Sequence, residues 1–147
     1  MQTGLNIFAQ YMEKRILAWH PSYRHPLPDD HKFPMIKYDL IPEQLMYEGS
    51  ITTDALFAPG PAPAETIALA HDAHYIKLVM AYGLSAIEMR RIGFPYPMTS
   101  ELVLRECIIM QGTIDCALRA LETGFAMNIA GGTHHAFAAK GEGFCIF

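Results

Sequence analysis

Residues 100–132, SELVLRECIIMQGTIDCALRALETGFAMNIAGG, contain the pattern that indicates the fold class most clearly. A threonine or serine cap begins a proline-free segment, and Gly124 is typical of a helix end. The helix is apolar at most positions apart from a narrow polar stripe, so we expect it to be largely covered by a sheet. The apolar residues 125–130 predict a strand after it. With a further apolar strand at residues 16–19, this order predicts an α/β fold with a parallel sheet.

Upstream, the chain predicts a long loop and a helix after the first strand. Four prolines between residues 20 and 34 exclude regular structure and favour an extended surface loop. Residues 35–48 have a helical pattern, which we expect to break at Pro42, because proline is best tolerated at the start of a helix. Gly49 is a plausible cap at its end.

The middle of the chain predicts two shorter helices. Residues 65–70 are apolar and leave strand or helix open, whereas a helix is predicted from the His-Asp pair at residues 71–72 to about Met80. Ser85 is a good capping residue for a short helix that ends near residue 91. Residues 1–14 are weakly patterned, and we expect a leader or flexible extension before a single domain at residues 15–147.

Composition excludes several classes of protein. The 147 residues are 51% hydrophobic and 18% charged, which excludes a disordered chain. The net charge is -4 and no basic run is present, so we expect no nucleic-acid partner. No apolar run approaches the ~20 residues that span a bilayer, so we expect no membrane partner. Three scattered cysteines predict buried free thiols in a reducing compartment, which favours a cytoplasmic location.

The segment with the most specific chemistry is AGGTHHAFAAKGEGFC, residues 130–145. Two glycines let the chain turn at the carboxyl end of the predicted strand, where open α/β sheets bind ligands. His134 and His135 follow in that turn and can serve as a general base and its electrostatic partner near neutral pH. A histidine pair alone is more often a polar loop pair. The glycines before it and the Gly-x-Gly-Phe-Cys segment after it favour a functional site.

Several motifs together resemble one family, the zinc-dependent histone deacetylases and their bacterial, class IV-like and acetoin-utilisation relatives. The resemblance covers nearly the whole chain after residue 14. It rests on six segments: GGTHHA at residues 131–136, GFC at 143–145, WHP at 19–21 after the first strand, HKFPM at 31–35, the residues His71, Asp72 and Tyr75, and QGTIDCAL at 111–118.

The resemblance implies an arginase/deacetylase-like three-layer α/β fold with a parallel sheet. It also implies hydrolysis of an acyl-lysine or a small acylated amine by zinc-activated water. His135 would be the general base, and His134 would support the developing oxyanion. The implied substrate-binding residues are Gly132, Gly143 and Phe144 along the acyl channel, Cys145 behind it, and Lys32, or Arg24, at the acetate pocket.

In the family, the zinc ligands follow the GFC motif, and this chain ends at Phe147. We therefore expect no metal ligand in these residues, which correspond to a truncated, N-terminal half of the domain. We expect the isolated chain to be inactive and to associate with partners through an exposed apolar surface of its sheet. The alternative is a non-catalytic, vestigial half-domain that binds a partner or an acyl ligand.

Two other sites remain open as weaker alternatives. A zinc site could form among the remaining histidines, although loop histidines beside prolines are more often hydrogen-bonding residues. A carboxylate pair for glycoside hydrolysis could form among three acidic residues whose spacing nothing fixes. The residues concerned are His20, His25, His31, His71 and His74 for zinc, and Glu43, Glu48 and Asp54 for the carboxylates.

Overall fold

Three short parallel strands form the sheet of the computed structural model, which describes residues 15–131 and 134–147. They are β1 (Ile16–Ala18), β2 (Leu56–Phe57) and β3 (Ala126–Asn128), in the order β2-β1-β3. β1 is central, because Leu17 pairs with Leu56 on one side and with Met127 on the other. The all-parallel sheet confirms the α/β class. The extension predicted at residues 1–14 lies outside the described residues.

Five helices and two short 3-10 turns surround the sheet in the described ranges. Asp72, Ser85 and Thr99 begin three of these helices, as the sequence predicts, and each accepts a hydrogen bond from a backbone amide of the first turn. The ambiguous residues 65–70 belong in part to a helix. The elements are α1 (Lys37–Tyr47), α2 (Ala64–Ile67), α3 (Ala73–Met80), α4 (Ala86–Ile92), α5 (Ser100–Thr123) and the turns Pro21–Tyr23 and Thr53–Ala55.

The predicted break at Pro42 is wrong, because α1 runs through this residue as one helix. Proline has no amide hydrogen, so it leaves the carbonyl of Tyr38, four residues earlier, without its helical partner. The indole Nε1 of Trp19 donates to this carbonyl at 2.8 Å and satisfies it. This hydrogen bond from Trp19, the residue after β1, therefore allows the helix to continue past Pro42.

α5 packs so closely on the sheet that one position has no room for a side chain. A Cβ atom at Gly112 would lie 2.6 Å from the Tyr23 hydroxyl and 3.0 Å from Nδ2 of Asn128. Asn128 ends β3 and donates to the carbonyl of Ile109 at 2.8 Å, so its amide joins the sheet to the helix. Gly112 thus fixes the distance between α5 and the carboxyl end of β3.

The coverage of α5 differs from the prediction. Most of its first half is buried, but Leu118 and Leu121 in its second half are 59% and 84% exposed. Met127 on β3 is also 40% exposed. The three strands cover only part of a helix that is apolar on most sides, so an apolar surface remains along α5 and β3.

The last residues of the chain are buried although they form no strand of the sheet. Within the described ranges, residues 144–147 belong to no ladder of the sheet, although Ile146 and Phe147 are 0% and 4% exposed. The hydroxyl of Tyr75 on α3 donates to the carbonyl of Ile146 at 2.8 Å. This bond explains Tyr75 in the His-Asp-x-x-Tyr motif: it anchors the segment that follows the GFC motif.

The cysteines agree with the sequence prediction. Cys107, Cys116 and Cys145 are all free and buried. Burial raises the pKa of the Cys107 thiol to about 11. None of the helices in the described part of the chain is long and apolar enough to span a bilayer.

Replacing Gly112 with alanine tests the contact between helix and sheet. We expect Gly112→Ala to lower the free energy of unfolding by about 1–3 kcal/mol, because the new methyl overlaps Tyr23 and Asn128. Gly60→Ala is the control, since nothing lies within 4 Å of a Cβ atom there. Urea denaturation of both variants measures the difference, and equal stabilities would contradict the close packing.

Candidate active site

A tight turn at residues 142–145 organises the candidate site. Gly143 and Phe144 both have positive φ, 54° and 64°, in a turn closed by two hydrogen bonds of 2.9 Å between Glu142 and Cys145. The amide of Phe144 donates to the carbonyl of Ile92 at the end of α4, at 2.6 Å. A bulky residue adopts positive φ only where its surroundings enforce it. The turn and α4 together force Phe144 into this conformation.

The glycines around this turn are required by close packing. A Cβ atom at Gly143 would lie 2.9 Å from Cγ of His135, and one at Gly141 would lie 2.7 Å from the carbonyl oxygen of Cys145. Gly93 has a φ of 99°, and its Cβ would lie 3.0 Å from the ring of Phe144. The Gly-x-Gly pattern therefore lets the turn touch the histidine pair and fold back on itself.

The structure brings the two predicted histidines together beside this turn. The ring centroids of His134 and His135 are 4.0 Å apart, and the rings are inclined by 41°. Nδ1 of His135 lies 3.7 Å from Sγ of Cys145. Both side chains are exposed. His135 is thus held from one side by the backbone of Gly143 and by the thiol of Cys145.

A cavity of about 330 Å³ opens beside the histidine pair. His134, His135, Gly143, Phe144 and Cys145 all line it. The cavity lies beyond the carboxyl end of β3, where parallel sheets bind ligands. Its volume is within the range of small-molecule binding sites. Gly132, also predicted for this site, lies outside the described residues.

Aromatic rings form one wall of the cavity. Phe33 from the first long loop and Phe94 from the turn after α4 each lie 5.6 Å, between ring centroids, from Phe144. His31 lies 5.5 Å from Phe144. This wall explains the HKFPM motif, whose His31 and Phe33 hold the ring of Phe144.

The structure places the predicted basic residues elsewhere. Lys32 is exposed and is not among the residues that line the cavity. Arg24 pairs with Asp39 at 3.1 Å near the surface. Lys37 does line the cavity, with its Nζ 4.3 Å from the Phe33 ring centroid. Lys37 begins α1, and its Nζ also lies 5.7 Å from the ring centroid of the buried Tyr38, which lines the same cavity.

Sequence reasoning also missed a buried ion pair in the cavity wall. Arg105 and Glu106 on α5 line the cavity, with side chains only 4% and 1% exposed. The sequence does carry one signal for this pair: two adjacent charged residues lie in a helix that is predicted to be largely buried. Charged residues are rarely buried without a partner, so such a position indicates an ion pair.

A second cavity of about 420 Å³ lies at the opposite end of the sheet, near Arg15 and Phe125. It is larger, but it lies at the amino ends of β1 and β3, whereas parallel sheets bind ligands at their carboxyl ends. None of the histidines in the described ranges lines it. The first cavity is therefore the better candidate for chemistry.

The described residues do not fit a metal ion. Within residues 15–131 and 134–147, no group of three or more histidines, cysteines, aspartates or glutamates could hold one. His71 packs on the rings of Tyr75 and Phe147, and His25 is buried against Phe94, where burial lowers its pKa. The alternative zinc site from the remaining histidines is thus not formed by the described residues.

Comparisons with known proteins place most of the chain in one family. Residues 31–147 match the family model of the histone deacetylase domain. An uncharacterized protein of Picosynechococcus sp. is 38% identical over 130 residues, which are 88% of this chain and 43% of that protein. Histone deacetylase 2 of Arabidopsis thaliana is 30% identical over 123 residues, 80% of this chain and 31% of that protein. The chain spans less than half the length of these curated relatives.

Two glycine substitutions separate backbone strain from the contact with His135. Gly131 and Gly143 both have positive φ, but nothing lies within 4 Å of a Cβ atom at Gly131. We expect Gly131→Ala to lose about 1 kcal/mol of stability from strain alone. Gly143→Ala should lose more and should also shift the imidazole NMR signals of His135. Equal losses, with unchanged imidazole signals, would show that the contact is unimportant.

Proposed function

The chain belongs to the histone deacetylase family, and we propose that its cavity binds the acyl group of an acyl-lysine or of a small acylated amine for hydrolysis. One observation carries this proposal: the adjacent rings of His134 and His135 line the same cavity as Phe144. A hydrolytic site needs a proton acceptor beside an apolar pocket that holds the acyl chain. Both parts meet at this cavity.

In this proposal, His135 is the general base. Its Nδ1 faces the thiol of Cys145, which leaves Nε2 as the ring nitrogen for proton transfer. Nε2 can therefore take a proton from the attacking water and later deliver it to the leaving amine. His134, with its ring 4.0 Å away, supports the negative charge that develops on the carbonyl oxygen. Imidazole suits these roles because the same ring nitrogen can accept a proton and later donate it.

The aromatic wall binds the acyl-lysine chain. Phe144, with Gly143 beneath it, flanks the methylene groups of the lysine, and Cys145 lies further inside. Phe33 and Phe94 extend this wall around Phe144. Burial of methylene groups contributes about 0.8 kcal/mol each, so the wall accounts for binding without any charge on the substrate.

This chain supplies only part of the proposed reaction. The family resemblance implies zinc, but the described residues offer no set of ligands for it. No step of the reaction is therefore assigned to a metal. We propose that the 147-residue chain binds an acylated amine but does not turn it over by itself.

We also propose that the apolar surface along α5 and β3 associates with further polypeptide. Leu118, Leu121 and Met127 are exposed there. Among the described residues, β3 is an edge strand of the sheet, and such edges readily pair with another chain. The exposure of both histidines also suits a site that is completed by a covering segment.

An acyl-lysine turnover assay tests the catalytic part of the proposal. We expect the purified chain with added zinc to hydrolyse a fluorogenic acetyl-lysine reporter no faster than its His135→Ala variant, because the described residues offer no set of metal ligands. Turnover by the chain that His135→Ala abolishes would refute the expected inactivity.

A binding experiment tests the cavity independently of turnover. We expect Phe144→Ala to weaken binding of Nε-acetyl-lysine amide about 3–10-fold, because it removes the ring against the methylene stem. Phe125→Ala is the matched control, since Phe125 is 50% exposed and lines the other cavity. Titration calorimetry measures both variants. Equal weakening by both, or by neither, would contradict the proposed binding site.

A further inference from the structure

The buried Arg105–Glu106 pair is a feature of the cavity that the proposed function does not use. Nη1 of Arg105 donates to Oε1 of Glu106. Much of the remaining wall is apolar, including Phe33, Phe94 and Ile109. A buried ion pair is weak evidence for stability, because removing two charges from water offsets most of their attraction. A pair retained in the wall of a binding cavity therefore invites a functional explanation.

Arg105 is held in place from several segments. Its Nε donates to the carbonyl of Tyr23 at 2.8 Å. Its guanidinium lies 5.5 Å from the ring centroid of Tyr38 and 5.8 Å from that of Phe94. A guanidinium has five N–H donors, and hydrogen bonds to Tyr23, Glu106 and the Tyr38 side chain use three of them. Arg105 is thus a rigid donor group with hydrogen-bonding capacity beyond these bonds.

Glu106 has the complementary property. Its Oε2 is buried and has no hydrogen-bond partner among the described residues. Burial raises the pKa of the Glu106 carboxyl, and the guanidinium of Arg105 and the amide of Ile146 oppose this. An unpaired buried acceptor is costly. Because Glu106 lines the cavity and its side chain is only 1% exposed, we expect the missing donor to come from a molecule that enters the cavity.

The pair therefore presents both a donor and an acceptor to one small region. An alkyl acyl chain would leave Oε2 unpaired. An ammonium group would be repelled by Arg105 and by Lys37, which also lines the cavity. A carboxylate would gain from these cations, but it would bury a second anion beside Glu106 and could not supply a hydrogen. A hydroxyl both donates and accepts, and it carries no charge.

We infer that the Arg105–Glu106 pair makes this cavity select acyl groups that carry a hydroxyl, such as a 3-hydroxybutyryl group, over alkyl acyl groups of the same length. The hydroxyl would donate to Oε2 of Glu106 and accept from the guanidinium of Arg105. This inference rests on the proposed binding of an acylated amine in the cavity. It concerns only which acyl group is preferred.

Two ligands that differ by one hydroxyl test the inference. Nε-(3-hydroxybutyryl)-lysine amide and Nε-butyryl-lysine amide are titrated into the full 147-residue chain by calorimetry. We expect the hydroxylated ligand to bind about 5-fold more tightly, as for one hydrogen bond to a charged or polar group. The double variant Arg105→Met/Glu106→Leu should lose this preference, since it offers neither donor nor acceptor.

Controls separate the role of the pair from an effect on folding. Apolar replacement of a buried ion pair often preserves stability, and circular dichroism checks that the double variant is folded. If it is not, Glu106→Gln is used instead. Its amide oxygen can keep the bond to Arg105 while its NH₂ replaces the acceptor, so we expect the preference to fall below about 2-fold. Arg24→Gln/Asp39→Asn removes an exposed ion pair and should leave the preference unchanged.

The outcomes are distinguishable. If the chain binds both ligands equally, or if the preference survives in the folded double variant, the inference is wrong and the proposed binding site stands. If the chain binds neither ligand, both the inference and the proposed function fail.

Discussion

The contact between the backbone of Gly143 and the imidazole of His135 is the constraint on which the site depends. No side chain fits between them, since a Cβ atom at Gly143 would lie 2.9 Å from the ring. The same turn gives Phe144 its positive φ and directs its ring against Phe33 and Phe94. One tight turn therefore sets both the position of the proposed base and the wall of the pocket beside it.

α5 connects this site to the rest of the fold. At Gly112 it lies against Tyr23 and Asn128, which fixes its distance from the sheet. Two turns earlier it places Arg105 and Glu106 in the cavity wall, where Arg105 also binds the carbonyl of Tyr23. Tyr23, which lies shortly after β1 in the chain, therefore contacts the helix at both points. Packing of the sheet and the shape of the cavity depend on the same helix.

Local patterns predicted the regular elements well, because caps and apolar runs act within a few residues. Asp72, Ser85, Thr99 and Gly124 mark helix ends in the structure as they do in the sequence. The continuation of α1 through Pro42 could not be predicted, since it depends on a hydrogen bond from Trp19, which is distant in sequence.

The candidate site was predictable only in part. The histidine pair and the GFC segment are contiguous motifs, and the structure brings both to one cavity. Lys37, Phe94 and the ion pair of Arg105 and Glu106 join the same cavity from separate elements, and no local pattern reveals such long-range contacts. Charges in a buried helix signal a partner, but the sequence does not say that the partner is the neighbouring residue or that a cavity lies beside it.

The central claim is that this chain binds an acylated amine between the histidine pair and the ring of Phe144. Intermolecular nuclear Overhauser effects from Nε-acetyl-lysine amide to the side chains of the chain test it most directly. We expect contacts from the ligand to the rings of Phe144, Phe94 and His135. Contacts only to Phe125 and Met127 at the opposite end of the sheet, or none at all, would contradict it.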